Sequence, residues 1–145
     1  MSDIVVRRLR PEDSDEITRL ATVITRSSDN TDFTGTVEKQ THSEDDASFV
    51  AELDNRLIGY CISYILSGSF GVKKSAWLAV LGVDPEFMGQ GIGEMLAAEA
   101  LKYCKARGIN DVYAGVRWDS MDFLSFFKTL GFQRSDFFVL HKPIE

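Results

Sequence analysis

The sequence has few of the residues that form covalent cross-links or metal sites. Among its 145 residues it holds two histidines and two cysteines, Cys61 and Cys104. Both cysteines lie in apolar stretches, and they form neither a CxxC pair nor a spacing typical of zinc ligands. We therefore expect reduced cysteines in the core, no metal site and an intracellular setting.

Long apolar runs are also missing. No stretch approaches the roughly 18 consecutive apolar residues that are needed to cross a bilayer. The first residues, from Met1 to Ile4, have neither the basic region nor the apolar core of a signal peptide. The sequence therefore predicts a cytoplasmic protein without membrane attachment.

An excess of positive charge is absent as well. The net charge is −6, which argues against nucleic-acid binding, because phosphate contacts need clustered Lys and Arg. Residues 1–54 hold 6 basic and 13 acidic residues, whereas residues 55–145 hold 10 and 9. Residues 55–145, which contain the later glycine-rich segment, are thus better suited to a bound anion. The acidic stretches in residues 1–54 also fit solvated helix faces.

The length and composition fit one globular domain that spans residues 1–145, with 44% hydrophobic and 26% charged residues. Periodicity and turn residues predict the order β-α-α-β-β-β-α-β-α-β. The predicted elements are a strand at 4–9, a helix from 13, a short helix within 27–47, a hairpin of 48–53 and 57–66, a strand at 76–83, a helix at 94–107, a strand at 111–116, a helix after 120 and a strand at 137–140.

The strand at 76–83 is nearly all apolar, so it is expected in the middle of a sheet, buried on both faces. Gly82 lies near its end, where a glycine is typical of a bulge or a close backbone approach. This places an irregularity directly before the loop described next.

Three glycines alternate after this strand, at Gly89, Gly91 and Gly93, and the predicted helix follows them. The first turn of a helix exposes unpaired N–H groups and the positive end of the helix dipole. Glycines leave room for an anion there and permit the positive φ angles that curve amides into a nest. The loop therefore predicts a phosphate site; the alternative is a glycine-rich turn without a ligand.

Two common phosphate loops do not fit this segment. A P-loop needs a Lys directly after its last glycine, and none of these glycines precedes one. In a dinucleotide-binding fingerprint that begins at Gly89, the third glycine would fall on Glu94, and residues 84–88 separate the strand from the glycines.

The segment from Val83 to Leu96, VDPEFMGQGIGEML, resembles the acetyl-CoA-binding motif of the GNAT superfamily of N-acetyltransferases. Leu130-Gly131-Phe132 resembles the family's Leu-Gly-Phe after the last helix, and residues 7–15 resemble its opening strand and turn. The resemblance implies an α/β (α+β) GNAT fold. In that fold a central mixed, mostly antiparallel sheet of six to seven strands is splayed between the fourth and fifth strands and flanked by about four helices.

The resemblance also implies a site for acetyl-CoA as co-substrate. The pyrophosphate would lie on the loop amides, and the pantetheine arm would enter the slot between the fourth and fifth strands. The backbone of Val83 would bond the acetyl carbonyl. The implied CoA-binding residues are Leu81, Gly82, Val83, Met88, Gly89, Gln90, Gly91, Ile92, Gly93, Glu94, Ser120, Phe123 and Phe127.

Three positions depart from the family's pattern. Met88 replaces a usual Gln or Arg, and Ser120 replaces a frequent Asn. Phe127 falls where many members have a Tyr that protonates the leaving thiolate, so the usual general acid is missing. A thiol pKa near roughly 8.5 makes the thiolate a tolerable leaving group, so we expect slower catalysis rather than none. The candidates to replace the acid are Tyr64, Tyr113 and Tyr103.

A general base is also needed, because an alkyl amine with a pKa of about 10.4 is mostly protonated at neutral pH. The candidates are Glu52, Asp119 or a chain of waters. Each carboxylate also fits a solvated charge or a helix cap.

The sequence thus predicts an acyl-CoA-dependent N-acyltransferase, which moves an acetyl group to an amine by direct attack. The acidic residues of positions 1–54 favour a cationic amine, either a small molecule or a peptide amino group. An acceptor that is already neutral at physiological pH would fit the missing base better, and the sequence leaves both open. The alternative, which Phe127 favours, is an acyl-CoA-binding regulatory module with weak or no turnover. A homodimer is a further hypothesis, which depends on whether Phe137 and Phe138 are exposed.

Overall fold

The computed structural model describes residues 3–25, 47–67, 74–116 and 121–144. The chain divides into two compact units, Met1–Gly115 and Val116–Glu145. The predicted short helix within 27–47 lies outside the described residues. The described elements are β1 (Val5–Arg8), α1 (Ser14–Thr25), β2 (Phe49–Leu53), β3 (Arg56–Ser67), β4 (Lys74–Val83), α2 (Ile92–Ala106), β5 (Val112–Ala114) and α3 (Met121–Thr129).

The first unit contains a mixed sheet in the order β1-β2-β3-β4-β5. The first three pairings are antiparallel and the β4–β5 pairing is parallel. This confirms the predicted fold class, although the described residues form five strands and three α-helices rather than six to seven strands and about four helices. No described helix has the length and apolar character to cross a membrane.

The predicted strand at 137–140 is wrong, because these residues have no strand conformation in the structure. The hydroxyl of Ser135 accepts a hydrogen bond from Phe137 N and lies 3.2 Å from Phe137 O, to which it donates. This local turn satisfies the backbone of Phe137 before a strand can begin.

The β2–β3 hairpin follows the prediction closely. Asp54 and Asn55 both have positive φ, 52° and 65°, as a two-residue type I′ turn requires. Asp and Asn tolerate this conformation better than other residues with a Cβ atom, so the sequence alone locates the turn.

The two helices of the first unit cover opposite faces of the sheet. Ile17 and Leu20 of α1 join a buried cluster with residues of β2 and β3. Cys104 of α2 joins a second cluster with residues of β3 and β4. A Cβ atom on Gly59 of β3 would lie 3.1 Å from the side chain of Leu96, so the glycine lets the start of α2 pack close to the sheet.

Both cysteines are buried and unbridged, as predicted. Burial raises the pKa of Cys61 to about 11, and burial also raises the pKa of Cys104. Because the thiolate is the reactive form, both groups stay protonated and inert near neutral pH.

A charged cluster fixes the start of the chain to the sheet. Arg7 donates two hydrogen bonds to the buried carboxylate of Asp13, at 2.9 and 3.0 Å, and a third to Glu52 at 3.2 Å. The hydrogen bonds that Arg7 donates to Asp13 are the main cause of the raised pKa of Arg7. The cluster therefore joins β1, β2 and the turn that precedes α1.

Candidate functional site

The strands β4 and β5 stay together over only three residues. Their pairs are Ala76 with Val112, Trp77 with Tyr113 and Leu78 with Ala114. Beyond these pairs, residues 79–83 of β4 continue beside β3, and within the described part of the chain no strand pairs with their other edge. The strands therefore separate where the sequence analysis placed the splay.

A bulge marks the point where β4 leaves β5. Ile62 of β3 pairs with Val80, whereas Ser63 pairs with Leu78, so Ala79 is an extra residue on β4. Of the two predictions for Gly82, the bulge lies three residues earlier, whereas the close backbone approach agrees with the 3.2 Å between Gly82 O and a Cβ built on Gly59. A bulge increases the local twist, which turns the end of β4 away from its parallel neighbour.

The register decides which backbone groups face the open edge of β4. Asp84 N donates to Ile58 O at 2.8 Å, so these two residues form a hydrogen-bonded pair. Such pairs alternate along an antiparallel ladder, so the backbone groups of Gly82 face β3. Those of Leu81 and Val83 face away from β3, into the open edge. Three residues are predicted to bond pantetheine, Leu81, Gly82 and Val83. Of these, only Leu81 and Val83 direct their backbone N–H and C=O groups toward the open edge.

The turn after β4 is held by the carboxylate of Asp84, which is 2% exposed. One oxygen accepts from the backbone N of Glu86 at 2.9 Å, and the other lies 3.7 Å from the guanidinium of Arg56. The backbone oxygen of Asp84 accepts from Phe87 N at 2.9 Å. Asp84 therefore fixes the path from the open strand edge to the glycine loop.

Replacing Asp84 by alanine should weaken both folding and CoA binding. The backbone N–H of Glu86 would lose its acceptor, which costs about 0.5–1.5 kcal/mol. Asp84→Asn keeps an oxygen for that bond and should retain most of the stability. Urea unfolding and calorimetry with CoA would measure both effects. Equal stability and affinity in the alanine and asparagine variants would contradict this role for Asp84.

The glycine loop has the predicted open geometry at two of its three glycines. Gly89 and Gly91 have φ of 82° and 77°, and no atom lies within 4 Å of a Cβ built on either. Gly93 instead belongs to α2. The loop is exposed around Gly89 to Gly91, so a ligand could approach the amides there and a Cβ atom would stand in its way.

The start of α2 supplies further amides beside these glycines. The N–H of Met95 makes the helix's first turn bond, to Gly91 O at 3.0 Å. The N–H groups of Ile92, Gly93 and Glu94 precede it and have no acceptor inside the helix. Together with the positive dipole end, they favour an anion at this position. The residues of the loop therefore fit a bound pyrophosphate.

Met88 contributes less than predicted. Its N–H donates to Pro85 O at 3.4 Å, and its side chain is exposed. By contrast, the side chain of Ile92 is buried and anchors the helix start, which leaves its backbone at the loop.

The candidate catalytic residues are spread over the chain. Glu52 is ion-paired with Arg7 at 3.2 Å. Asp119 and Ser120 lie outside the described residues. In the second unit, Phe127 is buried, with ring centroids of Phe126 and Phe132 at 5.2 and 5.1 Å. Phe123 is exposed.

The three tyrosines that were candidates for the general acid each contact other side chains of the first unit. The hydroxyl of Tyr103 accepts from Arg107 at 2.9 Å, and the guanidinium of Arg8 lies 4.7 Å from its ring centroid. Tyr113 stacks on Trp77 at 4.8 Å. Tyr64 packs against the cluster under α1. None of these contacts assigns an acid role.

The sequence of this chain is similar to those of known acetyltransferases. The family model described as the Acetyltransferase (GNAT) family matches residues 14–132. A mycothiol acetyltransferase of Amycolatopsis mediterranei is 29% identical over 102 residues, which cover 68% of this chain and 34% of that protein. The chain thus spans about a third of the length of this relative. An acetyltransferase of Pectobacterium atrosepticum is 28% identical over 108 residues, 74% of this chain and 72% of that protein.

A solved structure shows the same fold. The aminoglycoside N-acetyltransferase AAC(6')-Iy in complex with CoA superposes with a TM-score of 0.84 at 16% identity. The match covers 99% of this chain and 96% of the other. The sheet with its separated β4 and β5 and the glycine loop before α2 are therefore those of a GNAT fold, and the chain belongs to the GNAT acetyltransferase family.

Proposed function

We propose that this chain is an acyl-CoA-dependent N-acetyltransferase, which moves the acetyl group of acetyl-CoA to an amine by direct attack. The observation that carries the proposal is the closeness of two polar surfaces along the chain: the open edge of β4 ends at Val83, and the glycine loop begins six residues later at Gly89. A molecule with a diphosphate at one end and an amide-rich arm at the other matches both surfaces.

Each part of acetyl-CoA has a counterpart in this arrangement. The diphosphate accepts hydrogen bonds from the amides between Gly89 and Glu94. The pantetheine amides pair with the backbone of Leu81 along the open edge of β4, as a further strand would. The thioester carbonyl oxygen accepts from the N–H of Val83, which polarises the carbon that the amine attacks.

The transfer step needs few protein groups. The nitrogen of a neutral amine forms a bond to the thioester carbon, the carbon–sulfur bond breaks, and the electron pair leaves with the sulfur. The amine nitrogen loses one proton, and the CoA thiolate takes one up. Glu52, Asp119 or water accepts the first proton in our proposal. Positioning and carbonyl polarisation supply most of the rate enhancement.

The acceptor is proposed to be a cationic amine. The acidic residues outnumber the basic ones 13 to 6 in residues 1–54, which attracts a positively charged molecule. The names of similar proteins include acetyltransferases of mycothiol and of aminoglycosides. An aminoglycoside, a small polyamine and a peptide with a free amino group therefore form a suitable first panel.

Release of free thiol from acetyl-CoA in the presence of each amine tests this function. We expect release that depends on the amine and saturates with it, together with mass-spectrometric detection of the acetylated product. The rival function, a regulatory module that holds acyl-CoA, is favoured by the phenylalanine at position 127. Tight CoA binding without turnover on any amine would support that rival.

Introducing a hydroxyl at the position of the missing acid should accelerate turnover. Phe127→Tyr is expected to raise kcat by about tenfold or more, since a positioned acid contributes roughly 10²–10⁴-fold. The increase in kcat should be greatest at high pH, where hydronium ions are scarce. Phe126→Tyr is the matched control, because it adds the same hydroxyl one residue away. Equal kcat in both variants would contradict an acid role at position 127.

A further inference from the structure

Gly59 of β3 is buried beside the residue that ends the open edge of β4. The register places Gly59 between Ala51 of β2 and Val83 of β4. Asp84 and Ile58 form the adjacent hydrogen-bonded pair, so Gly59 and Val83 form a pair without hydrogen bonds. Pairs of this kind are the closer ones in an antiparallel ladder, with Cα atoms about 4.5 Å apart. Gly59 therefore lies directly next to Val83.

The start of α2 packs against the same glycine. A Cβ built on Gly59 would lie 3.1 Å from Cδ1 of Leu96, 3.2 Å from Cγ2 of Ile92 and 3.2 Å from the backbone oxygen of Gly82. Both distances to carbon are shorter than the roughly 3.5–4.0 Å that is optimal between carbon atoms. The side chains of Ile92 and Leu96 are buried. The first turn of α2 therefore rests on the backbone of β3 at a point where a methyl group does not fit.

The crowded atoms belong to rigid parts of the molecule. The oxygen of Gly82 is part of the backbone of β4. Ile92 is the first residue of α2, and its Cγ2 is attached to a branched Cβ, so that atom moves little without the helix backbone. An extra atom at Gly59 would therefore move the start of α2 away from the end of β4, by a few tenths of an ångström.

We propose that Gly59 is a positioning residue for the CoA site. By keeping the start of α2 close to the end of β4, it sets the distance between the amides that bind the diphosphate and the backbone groups that bind the pantetheine arm. This role rests on the proposed function. A ligand that bridges two subsites gains affinity only when its length matches their spacing. A change in spacing therefore weakens binding of the whole ligand more than binding of its parts.

Gly59→Ala tests the spacing with the whole ligand and with its two parts. Amide chemical-shift titrations would give the dissociation constants of CoA, of ADP, which carries the diphosphate alone, and of pantetheine, which is the arm alone. We expect the constant for CoA to rise by about tenfold, because small misplacements are costly for a ligand held at both ends. The constants for ADP and pantetheine should stay close to those of the wild type. Equal increases for all three ligands, or an unchanged constant for CoA, would overturn the role of Gly59.

A CoA analogue with one additional methylene in its pantetheine arm gives a readout that a loss of stability alone would not change. In the wild type this analogue should bind more weakly than CoA. In Gly59→Ala the two subsites lie further apart, so the difference between the two ligands should shrink or reverse. The same difference in both proteins would contradict a spacing role.

Cys104→Val is the matched control, because it also adds one heavy atom to the core beneath α2, near the other end of the helix. It should lower the melting temperature and leave the binding of CoA unchanged. A loss of CoA affinity equal to that of Gly59→Ala would show that any crowding under α2 suffices, and would overturn the proposal.

Ile92→Ala alters the same contact from the side of the helix and keeps the N–H of residue 92. It should weaken binding of CoA more than binding of ADP or pantetheine, and it decides the question if Gly59→Ala does not fold. Equal effects on the three ligands would count against the spacing role. Absence of CoA binding by the wild type would instead overturn the proposed function, and the role of Gly59 with it.

Discussion

Replacing Gly91 by glutamate should abolish binding of acetyl-CoA. Gly91 has a φ of 77°, and a Cβ there would project into open space. A side chain would block the approach of the diphosphate, and a carboxylate would repel its negative charge. Calorimetry with CoA should therefore give no measurable heat of binding, whereas the wild type binds.

The same helix supplies a control for backbone strain. Gly108 follows α2 with a φ of 76°, and it too has no atom within 4 Å of a built Cβ. Any other residue costs about 1–2 kcal/mol in this left-handed conformation at either site. Gly108→Glu should thus lose stability much as Gly91→Glu does, and still bind CoA. Unchanged CoA binding by Gly91→Glu would refute the placement of the diphosphate.

The second large effect is expected from a single backbone N–H. Val83→Pro removes the group that would polarise the acetyl carbonyl, and kcat should fall by about 10²–10³-fold, as for loss of one oxyanion donor. Because this N–H faces away from β3, the β3–β4 ladder keeps its hydrogen bonds. CoA without the acetyl group should bind with nearly wild-type affinity.

Gly82→Pro is the matched control for the strand. The N–H of Gly82 faces β3, so proline there removes a ladder bond and should destabilise the fold, which thermal unfolding would report. If the loss of stability in Val83→Pro accounts for all of its loss of activity, the acetyl carbonyl is polarised by another group. Steady-state rates at saturating acetyl-CoA, compared with melting temperatures, separate the two cases.

The sequence predicts the parts of the fold that depend on local chemistry. The hairpin turn at Asp54-Asn55, the helix that ends before Gly108 and the glycine loop each depend on which residues tolerate a positive φ. The residue type alone indicates whether a positive φ is tolerated. The position of the loop after an apolar strand likewise suffices to predict an anion site.

The sequence does not predict features that depend on register. The bulge at Ala79 follows from how Ile62 and Ser63 meet β4, and alanine carries no signal for it. The roles of Leu81 and Val83 also need the register, since alternation decides which backbone groups face the open edge. Glycine is common at bulges, which is why the sequence points to Gly82. In the structure, however, the carbonyl of Gly82 faces β3.

Two other differences come from particular hydrogen bonds. The sequence predicts a helix from residue 13, whereas α1 begins at Ser14 and the carboxylate of Asp13 is held by Arg7 of β1. Residues 137–140 have the composition of a strand, but the hydrogen bonds between Ser135 and Phe137 close a local turn at their start. The sequence analysis does not include the anchoring role of Asp84, although an Asp that accepts from the backbone N–H two residues later is a recognisable turn signal.

Amide chemical shifts during a titration with acetyl-CoA test the central claim most directly. The account predicts the largest changes at the N–H groups from Gly89 to Glu94 and at Leu81 and Val83, with little change at Gly82 and Gly108. Changes centred elsewhere, or a loop that does not respond while acetyl-CoA binds, would contradict it.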